Sequence, residues 1–124
     1  MTVATLCIVI AIFIPLACTT YAKLSRKGYD NRSPREFMDK LEGKGRRANY
    51  AQMNSFEAFA PFAVGVVVAH QLQASQPTID ALAMTFIAAR ILYVIFYIQD
   101  RHVLRTLAWS AGFFSTIALY FIGA

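Results

Sequence analysis

Long apolar stretches alternate with short polar segments along the whole chain. The first stretch, residues 2–22, has no charged side chain, and about 21 residues of helix can cross a hydrocarbon core about 30 Å thick. Further apolar stretches occupy residues 47–72, 79–98 and 104–122. Runs of this length are typical of membrane-spanning helices. We therefore predict a single all-α domain over residues 1–124, an integral membrane four-helix bundle with up-down-up-down topology.

The only long polar segment, residues 23–46, carries the positive charge of the protein. From Lys23 to Arg47 there are nine basic and four acidic residues, which account for the whole net charge of +5. Short positively charged loops stay on the cytoplasmic side of a membrane. We therefore predict that this basic loop and the charged turn at residues 100–105 are cytoplasmic, with both chain termini on the opposite side.

Turn signals subdivide the basic loop. Ser33 stands just before a proline and resembles a helix start, which predicts a short surface helix over Pro34–Leu41. Two glycines, Gly43 and Gly45, should then break the chain before the second span.

The ends and bends of the predicted spans carry local signals as well. Pro15 and Pro61 lie inside the first and second spans and should bend them, because proline removes a helical hydrogen bond. Thr78 is the expected N-cap of the third helix, with Asp80 in its first turn.

Composition restricts the function classes. Hydrophobic residues make up 57% of the chain and charged residues 15%, which is more apolar than a soluble domain. A basic cluster can bind nucleic acid, but between two apolar stretches a topological signal is the better interpretation, and we expect no nucleic-acid partner. Cys7 and Cys18 would lie about 16 Å apart along one helix, too far for a disulfide, so we expect reduced packing residues. The sequence has no cysteine–histidine cluster, glycine-rich phosphate loop or Ser/His/Asp set, and we expect no metal.

One carboxylate lies deep in a predicted span. Glu57 is about ten residues from the cytoplasmic end of the second span, roughly 15 Å deep, and Asn54 shares its helix face. Arg90 lies at a similar depth in the third span, which a short turn makes an antiparallel neighbour. Charges inside a membrane usually face a bundle interior and find partners there. We therefore predict that Glu57 and Arg90 pair, or share one polar ligand.

Polar side chains extend this site toward the cytoplasmic side. Spacings of three and four residues place them on one face of each helix. They are Arg47, Tyr50, Asn54 and Glu57 in the second span, Arg90, Tyr93, Tyr97 and Arg101 in and after the third, and Arg26 and Arg105 at the ends of the first and fourth. Several basic groups around one carboxylate suit a mainly anionic ligand that also carries a cation.

Each of these side chains also has a structural interpretation. Glu57 and Arg90 can simply satisfy each other, the tyrosines can be interface-belt aromatics, and the outer arginines can be ordinary positive-inside residues. His70 falls on the opposite helix face and is expected to be a solvated interface residue. The convergence of the polar groups on one groove favours a binding site.

The residues of this groove match a known pattern. The second span contains Ala51-Gln52-Met53-Asn54-Ser55-Phe56-Glu57 and Pro61-Phe62, the third contains Ala89-Arg90-Ile91-Leu92-Tyr93 and Tyr97, and Leu104-Arg105 follows. Together they resemble the MAPEG family, the membrane-associated proteins in eicosanoid and glutathione metabolism. The resemblance covers nearly the whole chain, and Tyr29-Asp30-Asn31 in the first loop is most similar to the bacterial branch.

The resemblance implies a four-helix bundle that assembles as a homotrimer and binds glutathione between subunits, near the cytoplasmic side. It assigns the residues that hold glutathione to two helices: Gln52, Asn54 and Glu57 in the second span, and Arg90, Tyr93 and Tyr97 in the third. It places Arg105 where the family has an arginine that stabilises the glutathione thiolate, which implies a catalytic role.

The resemblance is looser for two other arginines. Arg26, at the end of the first helix, corresponds to a contributing arginine of the family. Many family enzymes have arginine where this chain has Tyr50, and Arg47, one turn earlier, is the expected replacement. The loss of that arginine predicts weaker glutathione binding, the use of another thiol, or the absence of catalysis.

The function that the resemblance implies is a membrane glutathione transferase, with glutathione or a related thiol as co-substrate. It would conjugate that thiol to lipophilic electrophiles from the lipid phase, with reduction of lipid hydroperoxides as a further activity. The expected location is a bacterial inner membrane, as a multi-pass protein in contact with lipids. Two alternatives remain open: a non-enzymatic membrane protein whose groove is structural or binds a lipid headgroup, and a small proton-coupled exporter, although such exporters would carry the glutamate in helix 1.

Overall fold

The computed structural model describes every residue of the chain, 1–124. Five helices follow one another and no strand is present: α1 Val3–Leu24, α2 Pro34–Asp39, α3 Gly43–Gln71, α4 Gln76–Ile98 and α5 His102–Phe121. The prediction of an all-α protein is therefore confirmed. The four long helices begin and end within about four residues of the predicted spans, because each coincides with a long apolar run.

The connections between the long helices alternate between the two ends of the bundle. The basic end carries residues 25–42 and the turn at residues 99–101, and the terminal end carries both chain termini and the turn at residues 72–75. Helix α1 packs against α3 and α4, and α5 packs against the same two helices. The long helices therefore run in alternating directions, with α3 and α4 at the centre.

The outer surface of the bundle is apolar. Phe13, Val64, Ile91 and Phe114, one from each long helix, are 46% to 65% exposed. Helices α1 and α4 also have the length and composition of membrane spans, with mean hydropathies of 2.4 and 2.0. Large apolar patches on a protein surface need lipid or another chain to cover them. That α3 and α5 also span a membrane stays a prediction.

Small and flat side chains bring the helices together in the core. Phe62 of α3 stacks on Phe86 of α4, with ring centroids 3.8 Å apart. Alanines fill much of the remaining core between α1, α3 and α4, which lets the backbones approach closely. Cys7 and Cys18 are both free and buried, which confirms the prediction that they are reduced packing residues.

The start of α3 differs from the prediction. Gly43 does begin a new element, with φ of +57°, a conformation that glycine adopts without steric cost. Gly45, however, is a buried residue inside α3, so its predicted role as a second breaker is wrong. It lies against Ser25 and Leu41, where a side chain would clash with Ser25. Glycine at this position lets the basic segment pack closely on α3.

The start of α4 also corrects the prediction. Ser75 is the N-cap and a proline lies in the first turn, so Thr78 is not the cap. Asp80 accepts hydrogen bonds from the backbone N–H of Ala4, at 2.9 Å, and from Gln76, at 2.8 Å. Its carboxylate thus satisfies an N–H in the first turn of α1, where a negative charge is favoured.

His70 extends the hydrogen-bonded group of Gln76 and Asp80 at the terminal end. It is half-buried in the last turn of α3 and hydrogen-bonded to Gln76 at 3.0 Å. Its position at the end of the bundle agrees with the expectation of an interface residue, whereas the hydrogen bond to the next helix was not predicted.

Candidate functional site

Arg90 lies at the centre of the polar groups, on the face of α4 that packs against α3. Its side chain is only 2% exposed. Its Nη2 donates to Oδ1 of Asn54 at 2.8 Å and to Oγ of Ser55 at 3.3 Å. Burying a guanidinium is expensive unless its N–H groups find acceptors. Asn54 and Ser55 therefore hold this charge between the two central helices.

Glu57 makes no ion pair with Arg90. The only ion pair in the structure joins Lys40 and Glu36 on the surface, at 3.3 Å, so the predicted direct pair is wrong. Asn54, one turn before Glu57 on the same face, takes the guanidinium instead. Glu57 is left exposed, with no hydrogen-bond partner from its own chain. The other half of the prediction, a shared ligand, remains.

Glu57, Asn54 and Arg90 line the same cavity. Its volume is about 640 Å³ and it is formed by α3, α4 and α5. The rest of its wall is Ala58, Pro61, Phe86, Trp109, Gly112, Phe113, Thr116, Ile117, Tyr120 and Phe121. A cavity of this size with few polar groups has the usual character of a small-molecule site. One end is polar and charged, and the remainder is apolar and aromatic.

The α5 wall of this cavity was not predicted from the sequence. Its residues Trp109, Gly112, Thr116 and Tyr120 follow one another at spacings of three and four, which places them on one helix face. That periodicity is present in the sequence, but no charged residue marks it as part of a site. The hydroxyl of Tyr120 donates to the backbone carbonyl of Pro61 at 2.7 Å and ties α5 to the proline turn of α3.

Two stacked tyrosines with an arginine at each end lead from the cavity toward the basic end. Cζ of Arg90 lies 4.2 Å from the ring centroid of Tyr93, and the rings of Tyr93 and Tyr97 meet edge to face at 5.6 Å. Cζ of Arg105 lies 4.4 Å from the Tyr97 ring. Cation–π contacts of this length stabilise the charged form of arginine. We call these four side chains the arginine–tyrosine ladder.

Tyr50 extends the ladder onto α3, and a neighbouring arginine holds it. Its ring lies 6.5 Å from that of Tyr97, and its hydroxyl accepts a hydrogen bond of 2.8 Å from Nε of Arg46. Arg47 instead donates to the backbone carbonyl of Ile98 at 3.0 Å and closes the end of α4. Arg46, not Arg47, is therefore the arginine that reaches Tyr50.

Two of the predicted ligand residues lie elsewhere. Gln52 lines a second cavity of about 570 Å³ between α1, α2 and α3, together with Lys23 and Asn49. Arg26 is exposed and donates to the backbone carbonyl of Lys40 at 3.1 Å. A single chain thus brings Asn54, Glu57, Arg90, Tyr93, Tyr97 and Arg105 into one region, and leaves Gln52 and Arg26 outside it.

Comparison with known protein families identifies the family of this chain. The MAPEG family model matches residues 1–124, the whole chain. The chain belongs to the MAPEG family. No curated protein and no solved structure matches it significantly. MAPEG proteins are membrane-associated, which accounts for the apolar outer surface and for the membrane-span character of α1 and α4.

Proposed function

We propose that this MAPEG protein is a membrane glutathione transferase. It conjugates glutathione, or a related thiol, to lipophilic electrophiles, and reduces lipid hydroperoxides with the same thiol. The observation that carries the proposal is the cavity shared by Glu57 and Arg90, which is charged at one end and apolar along the rest. Such a cavity suits a reaction between a charged peptide thiol and an apolar molecule.

The charges of the site complement those of glutathione. Glutathione has two carboxylates and one ammonium group. Arg90 and Arg105 supply cations for the carboxylates and the sulfur, and Glu57 supplies the only carboxylate in the cavity wall. Because Glu57 has no partner in its own chain, an ammonium group from the ligand would satisfy it. Charge-assisted hydrogen bonds of this kind are the strong ones in protein recognition.

Arg105 is the residue we assign to the thiol. A guanidinium beside the sulfur favours thiolate over thiol, and the thiolate is the nucleophile. A shift of about two units in the pKa of the thiol corresponds to about 2.7 kcal/mol. The electrophile enters from the lipid along the apolar part of the cavity.

The separation of the predicted ligand residues supports an oligomer. Gln52 and Glu57 lie on different faces of α3 and line different cavities. If both contact one glutathione, they must come from two copies of the chain. A homotrimer with glutathione between subunits meets this requirement, with Arg26 supplied from the same side as Gln52.

The proposed orientation follows from the charge of the basic end. All four long helices span a bacterial inner membrane, and the basic end is cytoplasmic because short basic loops are retained there. Glutathione then enters from the cytoplasm, where the arginine–tyrosine ladder opens, and both termini lie on the opposite side.

The test is the ultraviolet absorbance of bound glutathione thiolate in the purified protein. We expect an absorbance that saturates with glutathione and that disappears in Arg105→Ala while the oligomer stays intact. Arg32→Ala is the matched control, because it removes the same charge from an exposed position of the basic end. An unchanged signal in Arg105→Ala removes Arg105 from the mechanism, and no signal in the unmodified protein contradicts the proposal.

A non-enzymatic role is the second candidate. The hydrogen bonds of Arg90 to Asn54 and Ser55 tie α3 to α4 without any ligand, as expected for a structural polar group. In that case Glu57→Gln changes only thermal stability, and glutathione protects neither protein against unfolding. Glutathione-dependent protection that Glu57→Gln abolishes favours the transferase.

A further inference from the structure

Arg105 stacks on an aromatic ring at the basic end of the bundle. It stands in the first turns of α5, half-buried, and its guanidinium has no hydrogen bond and no ion pair with any side chain. Its contact is the face of Tyr97, 4.4 Å from Cζ. The N-terminal end of a helix carries partial positive charge, so α5 itself does not stabilise a cation there. The Tyr97 ring is what opposes that effect.

The ring of Tyr97 is itself fixed by two neighbours. Tyr93 meets it edge to face at 5.6 Å with an interplanar angle of 80°, and Tyr50 approaches from α3 at 6.5 Å. The charged groups around this cluster are Arg90, over Tyr93, Arg46, on Tyr50, and Glu57, whose charge acts on Tyr93. The ring therefore presents a defined face to Arg105, and a flexible side chain held in one place loses less freedom when a ligand binds.

We propose that Tyr97 is a positioning residue that acts through Arg105, and that it does so with its ring face and not with its hydroxyl. This inference rests on the proposed function, because it concerns the arginine assigned to the glutathione thiolate. It differs from the expectation of the sequence analysis, in which Tyr97 contacts glutathione directly. The two roles separate because the first needs an electron-rich ring and the second needs an oxygen atom.

The size of the effect follows from the cation–π contact. Removing the ring should raise the apparent pKa of the bound thiol by about 0.5 to 1 unit, which corresponds to about 0.7 to 1.4 kcal/mol and is comparable to one cation–π contact. Removing only the hydroxyl should leave that pKa nearly unchanged.

The experiment is a pH titration of the thiolate absorbance at saturating glutathione in five proteins: unmodified, Tyr97→Phe, Tyr97→Leu, Arg105→Ala and the double variant Arg105→Ala/Tyr97→Leu. We expect the apparent pKa of the bound thiol in Tyr97→Phe to equal that in the unmodified protein, and the apparent pKa in Tyr97→Leu to be higher. In Arg105→Ala, a further Tyr97→Leu change should add little, because both act on the same group. The inference is overturned if the apparent pKa rises as much in Tyr97→Phe as in Tyr97→Leu. It is also overturned if the apparent pKa does not rise in Tyr97→Leu.

A shape-preserving series guards against misfolding of Tyr97→Leu. Phenylalanines with increasing fluorine content at position 97 keep the ring and weaken its negative face, so the apparent pKa should rise stepwise. A flat series overturns the inference. Absence of thiolate absorbance in the unmodified protein overturns the proposed function as well, whereas a normal signal there with no effect of the ring overturns only the role of Tyr97.

Discussion

Removing the side-chain oxygen of Asn54, which accepts the shorter hydrogen bond of Arg90, should lower the free energy of unfolding of the bundle measurably. In Asn54→Ala the guanidinium loses its 2.8 Å hydrogen bond and keeps only the longer one to Ser55, at 3.3 Å. Hydrogen bonds to charged groups contribute about 1.5–3 kcal/mol, and Arg90 is only 2% exposed. We expect a loss of about 2 kcal/mol, which is roughly a 30-fold change in the opening equilibrium.

The buried cysteines provide the assay. In a Cys7→Ala background, Cys18 is the only thiol, and at 2% exposure it reacts with a maleimide only when the helices open. Its labelling rate, measured without ligand in detergent, should rise roughly 30-fold in Asn54→Ala. Asn49→Ala is the matched control, because it makes the same change on the same helix beside the other cavity.

An Arg90→Met background tests whether the effect of Asn54→Ala comes from the buried charge of Arg90. In Arg90→Met there is no buried charge to satisfy, so Asn54→Ala should cost much less there, since the two changes act on one interaction. Equal labelling rates of Cys18 in Asn54→Ala and Asn49→Ala would refute this role of Asn54. An equally large effect of Asn54→Ala in the Arg90→Met background would refute it as well.

Substitutions at three other positions test the packing of the bundle. Asp80→Ala should lower the free energy of unfolding by about 1 kcal/mol, because an N–H of α1 loses its acceptor, and maleimide labelling of Cys7 should speed up accordingly; unchanged labelling contradicts that role. Gly65→Ala should cost about 1–3 kcal/mol in thermal or denaturant unfolding, because the new Cβ would lie 3.0 Å from the ring of Tyr120 and 3.3 Å from Leu119; a variant as stable as the unmodified protein contradicts that close packing. Gly112→Ala should be tolerated, since its Cβ would lie 3.6 Å from Ala89 and from Arg90, whereas Gly112→Leu should reduce turnover of bulky electrophiles and leave the thiolate absorbance in place; equal loss for small and bulky electrophiles contradicts the assignment of the apolar wall to the electrophile.

The sequence located the helices well because their signals are local. Long apolar runs fix where α1 and α4 lie, and a proline fixes the start of α2. The role of Gly45 could not be predicted in the same way, because it depends on Ser25 approaching from another segment. The partner of Asp80 was missed for the same reason, since the N–H it accepts from lies 76 residues earlier.

The candidate site was predicted in its residues more than in its contacts. Equal depth in adjacent spans correctly placed Glu57 and Arg90 on one cavity. Equal depth could not show that Asn54, and not Glu57, would accept the hydrogen bond from Arg90, because the two residues are only one helical turn apart. The stacking of Arg105 on Tyr97 also joins two helices and has no signature within either of them.

The affinity of the purified protein for glutathione, measured by titration calorimetry, is the decisive test of the proposed site. We expect saturable binding that weakens by about 10- to 100-fold in Glu57→Gln, the range expected for one charge-assisted hydrogen bond. N-acetylated glutathione, which lacks the ammonium group, should bind as weakly as glutathione binds to Glu57→Gln, and the variant should not weaken it further. No binding of glutathione to the unmodified protein, or equal binding to Glu57→Gln, would contradict the account.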